Sequence, residues 1–345
     1  MDNTTMNVFN VTAIATMEIS NETMLQWRKE DDGIIKARTQ FLISIVLCMI
    51  ALIINILCIF ATLHIPNKLV CSYKLFLSLT VANIIGAFSH SMSATNLYLF
   101  HQYGYGGWND RNLTILYDFA HIVYLTAVAA SEFSILGLAG IRYIAIVHPF
   151  RHDELTRDRY LYAWLMIIWV FSIFVGLLVC IYMVNDDAYV IIVHYIWPAL
   201  FILIFLFIIV LYLRVYWETR RIRNNLGYDI GELLHNYSAF ITTMMLTMTL
   251  VLCAIPYWII ELLKKTHPND QAIWTVSQNY CQYLPVINFI IDPIIFASRT
   301  KDIKVGFRQL RKKLINLCNG YKGYTNYNRH QQSMCLTTTK IESVM

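Results

Sequence analysis

Seven stretches of this chain are long and apolar enough to cross a bilayer, and they constrain its fold more than anything else in it. Phe41–Leu63 runs 23 residues without a charge, and Ala163–Met183 runs 21. Tyr189–Leu213 runs 25 residues with one histidine. Leu75–Phe100, Leu113–Val147, Ala239–Ile260 and Ile273–Ala297 are long enough but less pure, and the third and seventh stretches in chain order carry carboxylates. About 20 apolar residues cross the hydrocarbon core as a helix. Composition agrees. The chain is 57% hydrophobic and 14% charged, whereas a soluble protein carries about 25% charged residues. Too few charges remain to wet the surfaces of a soluble enzyme, and disorder requires low hydrophobicity. No alternation of period two is present, which removes a β-barrel, and no internal repeat of the transporter kind is found.

The loops orient the stretches. Exits 64–74, 142–160 and 214–237 carry Lys68, Lys74, Arg142, Arg151, Arg157, Arg159, Arg214, Arg220, Arg221 and Arg223. The opposite loops carry Arg111, Lys264 and Lys265. Positive residues stay cytoplasmic, so the N-terminus is expected outside and the C-terminus inside, although Lys36 and Arg38 pull weakly the other way. Asn3, Asn10 and Asn21 in the tail and Asn112 in the first outer loop head glycosylation sequons, which fits that orientation. Asn236 heads a fifth sequon that falls inside. Met1–Asn10 lacks the basic and apolar regions of a cleavable signal, so the first stretch is expected to serve as the membrane signal.

The expected fold class is an all-α membrane protein, a seven-transmembrane helix bundle with a short amphipathic cytoplasmic helix. The expected organisation is a glycosylated extracellular tail (1–38), the bundle (39–298), the amphipathic helix (299–318) and a cytoplasmic tail (319–345). The expected location is the plasma membrane, with multiple passes. In the amphipathic helix Ile303, Phe307, Leu310, Leu314 and Leu317 recur at helical spacing, ringed by Lys301, Lys304, Arg308, Arg311, Lys312 and Lys313. Such a helix lies in the interface, drawn to anionic lipid, and Cys318 at its end suits palmitoylation. Thr337–Thr339 and Ser343 offer kinase sites in the tail, and Ser343-Val-Met345 is a weak PDZ-ligand pattern. Of the eight cysteines only Cys281 is near the outer face, so no extracellular disulfide framework is expected. No Cys/His spacing suggests zinc, no cofactor is expected, and a net charge of +5 is modest for a nucleic-acid binder.

Ionisable groups inside the membrane are expensive and mark function by default. Three stand out: Asp292, Glu132 and Arg142. Glu132 lies mid-way along the third stretch, far from either mouth. Unpaired there, it would keep its proton and donate a hydrogen bond to the fifth or sixth stretch, with His194 too shallow to be its sure partner. The competing reading is a satisfied packing contact. For Asp292 the competing reading is a structural hydrogen-bond cluster. Pro256 removes a backbone donor and kinks the sixth stretch, which gives that helix a lever.

Short motifs now fall in register on these stretches. Asn55 sits mid-way along the first. The second reads Leu79-Thr-Val-Ala-Asn83. The third ends Gly140-Ile-Arg142-Tyr143-Ile-Ala-Ile-Val-His-Pro149-Phe150. Trp169 lies in the fourth, 27 residues after Arg142. The sixth reads Cys253-Ala-Ile-Pro256-Tyr257, and the seventh Asn288-Phe-Ile-Ile-Asp292-Pro293-Ile-Ile-Phe296. Across residues 39–318 the chain resembles a rhodopsin-like, class A G-protein-coupled receptor. The finer resemblance is to the melanocortin-like branch. Asp292-Pro293-Ile-Ile-Phe296-Ala-Ser-Arg299 is similar to that branch's Asp-Pro-Leu-Ile-Tyr-Ala-x-Arg, and the loop between Met183 and Tyr189 is as short as theirs. Tyr117 replaces the usual third-span cysteine, and Ser93, Tyr117 and His121 stand where melanocortin receptors keep acidic ligand and calcium residues. Architecture carries over; the ligand does not.

The resemblance implies roles residue by residue. Asn83 and Asp292 exchange the family's carboxylate and amide across one pocket. Ser131 and Asn288 line the same pocket, which suits a sodium ion at Asn83, Ser131 and Asp292, or a water cluster. Arg142, followed by Tyr143, reaches the G protein in the active state, yet the acid that normally restrains it is Ile141. That loss implies elevated basal signalling, unless another acid or an apolar contact restrains Arg142. Tyr212 meets Arg142 in the active form. Phe296 keeps the family's helix-seven ring without its hydroxyl, and Pro293 follows the carboxylate. The family's toggle tryptophan is Ala254, leaving Tyr257 and Trp258 as candidate triggers. Phe150 is the expected knob for a G protein. Ligand-facing candidates are Ser93, Asp118, His121, Tyr124, Tyr257, Glu261, Tyr280 and Gln282, for a small molecule, lipid or peptide. Tyr124 stands where amine receptors carry Asp, which disfavours a monoamine, and the absence of a lysine from Ile273 to Ala297 excludes an opsin.

The expected function is therefore allosteric signalling from an extracellular ligand, or from basal activity, to a heterotrimeric G protein. No Ser/His/Asp, Walker or zinc constellation supports an enzyme. The alternatives are a transporter or ion channel using Glu132 and Asp292, and a receptor-shaped protein that is non-signalling or constitutively active.

Overall fold

A computed structural model describes residues 35–65, 71–103, 110–178, 195–225, 230–267 and 269–316. The ordered elements are helical. They are α1 (Ile35–Leu63), α2 (Cys71–Tyr103), α3 (Asp110–Val147), the short α4 (Pro149–Leu155), α5 (Asp158–Leu177), α6 (Trp197–Asn225), α7 (Ile230–Thr266), α8 (Gln271–Asn279), α9 (Leu284–Arg299) and α10 (301–316). Seven helical stretches are long and apolar enough to cross a membrane, the seventh covering Gln271–Arg299. The hydropathy blocks thus mark the bundle correctly, and several helices run past the apolar blocks at their ends.

The seventh span departs from the continuous helix expected over Ile273–Ala297. It breaks at Tyr280, passes through a single turn at Cys281–Tyr283, and resumes as α9. Pro285 explains the break: its ring clashes with the carbonyl four residues back, and it tolerates only the first turn of a helix. Asp270 caps α8 by accepting from the Ala272 backbone N–H at 2.9 Å. By contrast α7 and α9 run on through Pro256 and Pro293.

α3 is the hub of the packing. It lies against α2, α5, α6 and α7, while α9 packs on α7 and α2. α5 and α6 both rest on α3 and scarcely touch each other. Small residues set two close approaches. A Cβ on Gly176 of α5 would fall 2.0 Å from Thr126 Oγ1 of α3, and one on Gly306 of α10 would fall 2.0 Å from the Ala61 carbonyl of α1. α10 is therefore clamped to the end of α1, with Ile303 fully buried and Leu314 exposed. A hydrogen bond of 2.6 Å from the Tyr73 hydroxyl to Asp302 ties it to α2 as well.

Polar cross-links complete the bundle. Asn55 donates to the carbonyls of Ala51 (2.8 Å) and Phe289 (2.9 Å), joining α1 to α9. Trp169 Nε1 donates to Ser78 at 3.1 Å, and Ser78 meets Ser134 at 3.2 Å, joining α5, α2 and α3. Such bonds inside a membrane are worth roughly 0.6–2 kcal/mol each.

A candidate ligand cavity above a buried polar hub

At the end of the bundle away from Arg142, α1, α2, α3, α7 and the turn before α9 enclose a cavity of about 160 Å³. Its wall includes Ser93, His121, Tyr124, Tyr257 and Gln282, five of the eight sequence candidates. Asp118 and Tyr280 are not in that wall, and Tyr280 is 67% exposed because the break in the seventh span turns it outward. The side chain of Glu261 lies outside the described atoms. His90 was missed by sequence reading, yet it lines the cavity with its ring 5.6 Å from that of Tyr124. A lone histidine on an apolar stretch carries no signal of which helix it faces. The rings of Tyr117, His121 and Tyr124 follow one another along α3 at centroid separations of 6.2 and 6.5 Å.

Tyr124 and Tyr257 also form the roof of a second, smaller cavity of about 40 Å³. Ser131, Glu132, Ala254, Trp258, Asn288 and Phe289 surround it. The small side chain of Ala254 leaves this space. Trp258 is held aside, stacked 6.1 Å from Trp197 of α6. Glu132 is 2% exposed and faces this cavity.

Ser131 and Asn288, in the floor, lead to Asp292, which is fully buried. Asn288 Nδ2 donates to Asp292 Oδ2 at 3.0 Å, and the Thr249 hydroxyl, which donates to the Leu246 carbonyl at 2.9 Å, also lies 3.4 Å from Oδ1. Asn83 approaches the same carboxylate. Its Nδ2 and Oδ1, together with Ser131 Oγ and Asn288 Oδ1, are buried with no partner within hydrogen-bond distance among the described residues. The structure thus brings together the four residues that the sequence assigned to one pocket, and it adds Thr249. Nothing in the α7 sequence distinguishes Thr249 from its neighbours Thr243 and Thr247.

Further along, Phe296 is buried and its ring stacks on Phe76 at 3.9 Å. The missing hydroxyl is replaced by apolar packing. Tyr212 does not reach Arg142 in this state. Its hydroxyl bonds Thr247 at 2.7 Å, joining α6 to α7. Ile141 is buried, and Arg142 Nε is buried without a hydrogen-bond partner. Tyr143 contacts His148 at 3.4 Å. Beyond them α4 forms the helical loop that Pro149 starts, and Phe150 on it is 99% exposed. Asn3, Asn10, Asn21 and Cys318 lie outside the described residues, as does the side chain of Asn112.

Comparison with known proteins places this geometry. The sequence profile of the 7 transmembrane receptor (rhodopsin family) matches residues 54–296. The chain is 25% identical over 289 residues to melanocortin receptor 5 of Mus musculus, covering 81% of this chain and 85% of that one. It is 25% identical over 291 residues to melanocortin receptor 5 of Homo sapiens, with 81% and 85% coverage. Similarity to melanocortin receptor 4 of Danio rerio is 23% over 273 residues, with 78% and 82% coverage. These matches give no support to a transporter or channel. The chain belongs to the rhodopsin family of seven-transmembrane receptors, near its melanocortin branch, and functions as a G-protein-coupled receptor.

Proposed function

We propose that the N-terminus is outside, that an extracellular ligand enters the cavity beside Tyr124, and that the Arg142 end engages a heterotrimeric G protein. One observation carries the reading: the cavity, Tyr124 and Tyr257, the Glu132 chamber and Asn288 follow one another from the outer cavity down to Asp292. Coupling of two sites needs such a bistable element, which each site biases. The outer cavity is smaller than the roughly 300–1,000 Å³ of small-molecule sites, so the occupant inserts only part of itself. A peptide tip, a lipid headgroup or a compact small molecule fits that description.

The oxygen atoms of Asp292, Asn83, Ser131 and Asn288 are hard donors that suit a sodium ion or bridging waters. Four of the surrounding polar atoms are buried and unpartnered, which is the condition such a guest relieves. Phe150 and Arg142 are the proposed G-protein contacts, with arrestin and kinases at the tail, sugars on Asn3, Asn10, Asn21 and Asn112, and a palmitoyl chain on Cys318.

High basal output is a second reading, favoured by Ile141 and the unpartnered Arg142 Nε. The test is a basal second-messenger assay in cells expressing the receptor. Arg142→Ala abolishes output, and Ile141→Asp restores a charge-assisted bond of about 1.5 kcal/mol, lowering output about tenfold. Unchanged output in Ile141→Asp at equal surface expression defeats the basal-activity reading.

A further inference from the structure

The largest cavity among those described lies outside the ligand path. It is about 530 Å³ and sits where α5 and α6 both lean on α3 without closing on each other. Its floor is apolar and buried: Leu75, Ile141, Leu161 and Ile168. Its lips are Trp164, Ile167, Phe171 and Phe207, large apolar side chains that the bundle leaves exposed toward the bilayer. Gly140 leaves the α3 wall of the cavity open, since a Cβ built there would meet nothing within 4 Å. The hydroxyls at the Arg142 end are already engaged, Thr156 with the His152 carbonyl at 2.7 Å and Tyr143 with His148 at 3.4 Å. An occupant therefore has to be apolar along its buried length.

At that end Arg157 and Arg159 fall in the short stretch between two lining residues, Thr156 and Leu161. Asp158 between them is taken by Lys74 at 2.7 Å. Both arginines are exposed and form no ion pair among the described residues. Two uncompensated guanidinium groups beside an apolar groove match an amphiphile with an anionic head and a flexible tail. We propose that the groove holds one acyl chain of an anionic phospholipid, with its phosphate on Arg157 and Arg159. Ile141 packs in the floor next to Arg142, and Leu211 lines the groove next to Tyr212. The assignment of this lipid to the inner leaflet rests on the orientation proposed above; the binding itself does not.

The full-length receptor in phosphatidylcholine vesicles is labelled by a phosphatidylserine probe carrying a diazirine on one acyl chain, and adducts are mapped by mass spectrometry. Adducts are expected on Gly137–Ile144 and Trp164–Phe171, above those on the lipid face of α1. Gly140→Phe, which fills the groove, removes them. Arg157→Gln and Arg159→Gln, both exposed and harmless to folding, each reduce phosphatidylserine labelling roughly fivefold while a phosphatidylcholine probe with the same chain is unaffected. Equal labelling of α1 and the groove, labelling insensitive to the arginine variants, or preferential capture of a diazirine sterol overturns the proposal. The readout is binding alone, so signalling can fail without it and it can fail without signalling.

Discussion

Two buried carboxylates sit in one bundle, Glu132 on α3 and Asp292 on α9, and they are treated in opposite ways. Asp292 accepts from Asn288 and Thr249. Glu132 forms no hydrogen bond with a described residue and opens instead onto the chamber beside Ala254. Burying a polar group costs free energy unless a partner offsets it. Asp292 is therefore part of what holds α7 and α9 together, whereas Glu132 is a cost that the fold carries. In the receptor mechanism such a cost belongs at a moving part, because a partner gained in another state biases the equilibrium toward it. The same contrast recurs between Phe296, sealed against Phe76, and Arg142, whose Nε meets no partner.

The comparison is open to direct attack. The largest effect is expected from Asp292→Leu. It strands the buried Asn288 amide, while the Thr249 hydroxyl keeps the Leu246 carbonyl, and should cost about 2 kcal/mol, read as a lower melting temperature of the detergent-solubilised receptor. Unaltered melting would mean the hub is not a structural link. Glu132→Leu should move the other way, with a gain of about 1–2 kcal/mol, since an unpaired buried acid is replaced by an apolar side chain. A loss of similar size would reveal a partner for Glu132 and erase the contrast. Smallest is Thr249→Val, which removes the hydroxyl shared between the Leu246 carbonyl and Asp292 and should cost about 0.6 kcal/mol. Thr249→Ser, keeping the hydroxyl, should melt with the wild type.

Much of the fold was legible in sequence order. The seven apolar blocks place the spanning helices, and the register of the motifs sets Asn83, Ser131, Asn288 and Asp292 at one pocket. That set was legible through resemblance, since the motifs fix the register of each helix against its relatives. Where this chain departs from them, resemblance says nothing. It gives no partner for Asp292 from α7, no place for His90, and no account of what fills the space where the family has a tryptophan. Tyr280 and Asp118 were named as ligand-facing because they sit near the correct end of their helices. Depth along a helix is readable from sequence; the direction around it is set by packing.

Hydropathy is a local property, summed over some 20 neighbouring residues, so the sequence by itself determined the number of spans, the stretch of chain each occupies, the basic face of α10 and the helix-starting role of Pro149. Tertiary structure decided which helices touch. Asn55 reaches Phe289, Tyr73 reaches Asp302, and α5 and α6 leave a groove over Gly140. The two bonded pairs are separated by 234 and 229 residues, and all three features depend on how each helix is rotated about its own axis. In lipid, where both faces of an apolar helix read alike, composition alone leaves that rotation undetermined.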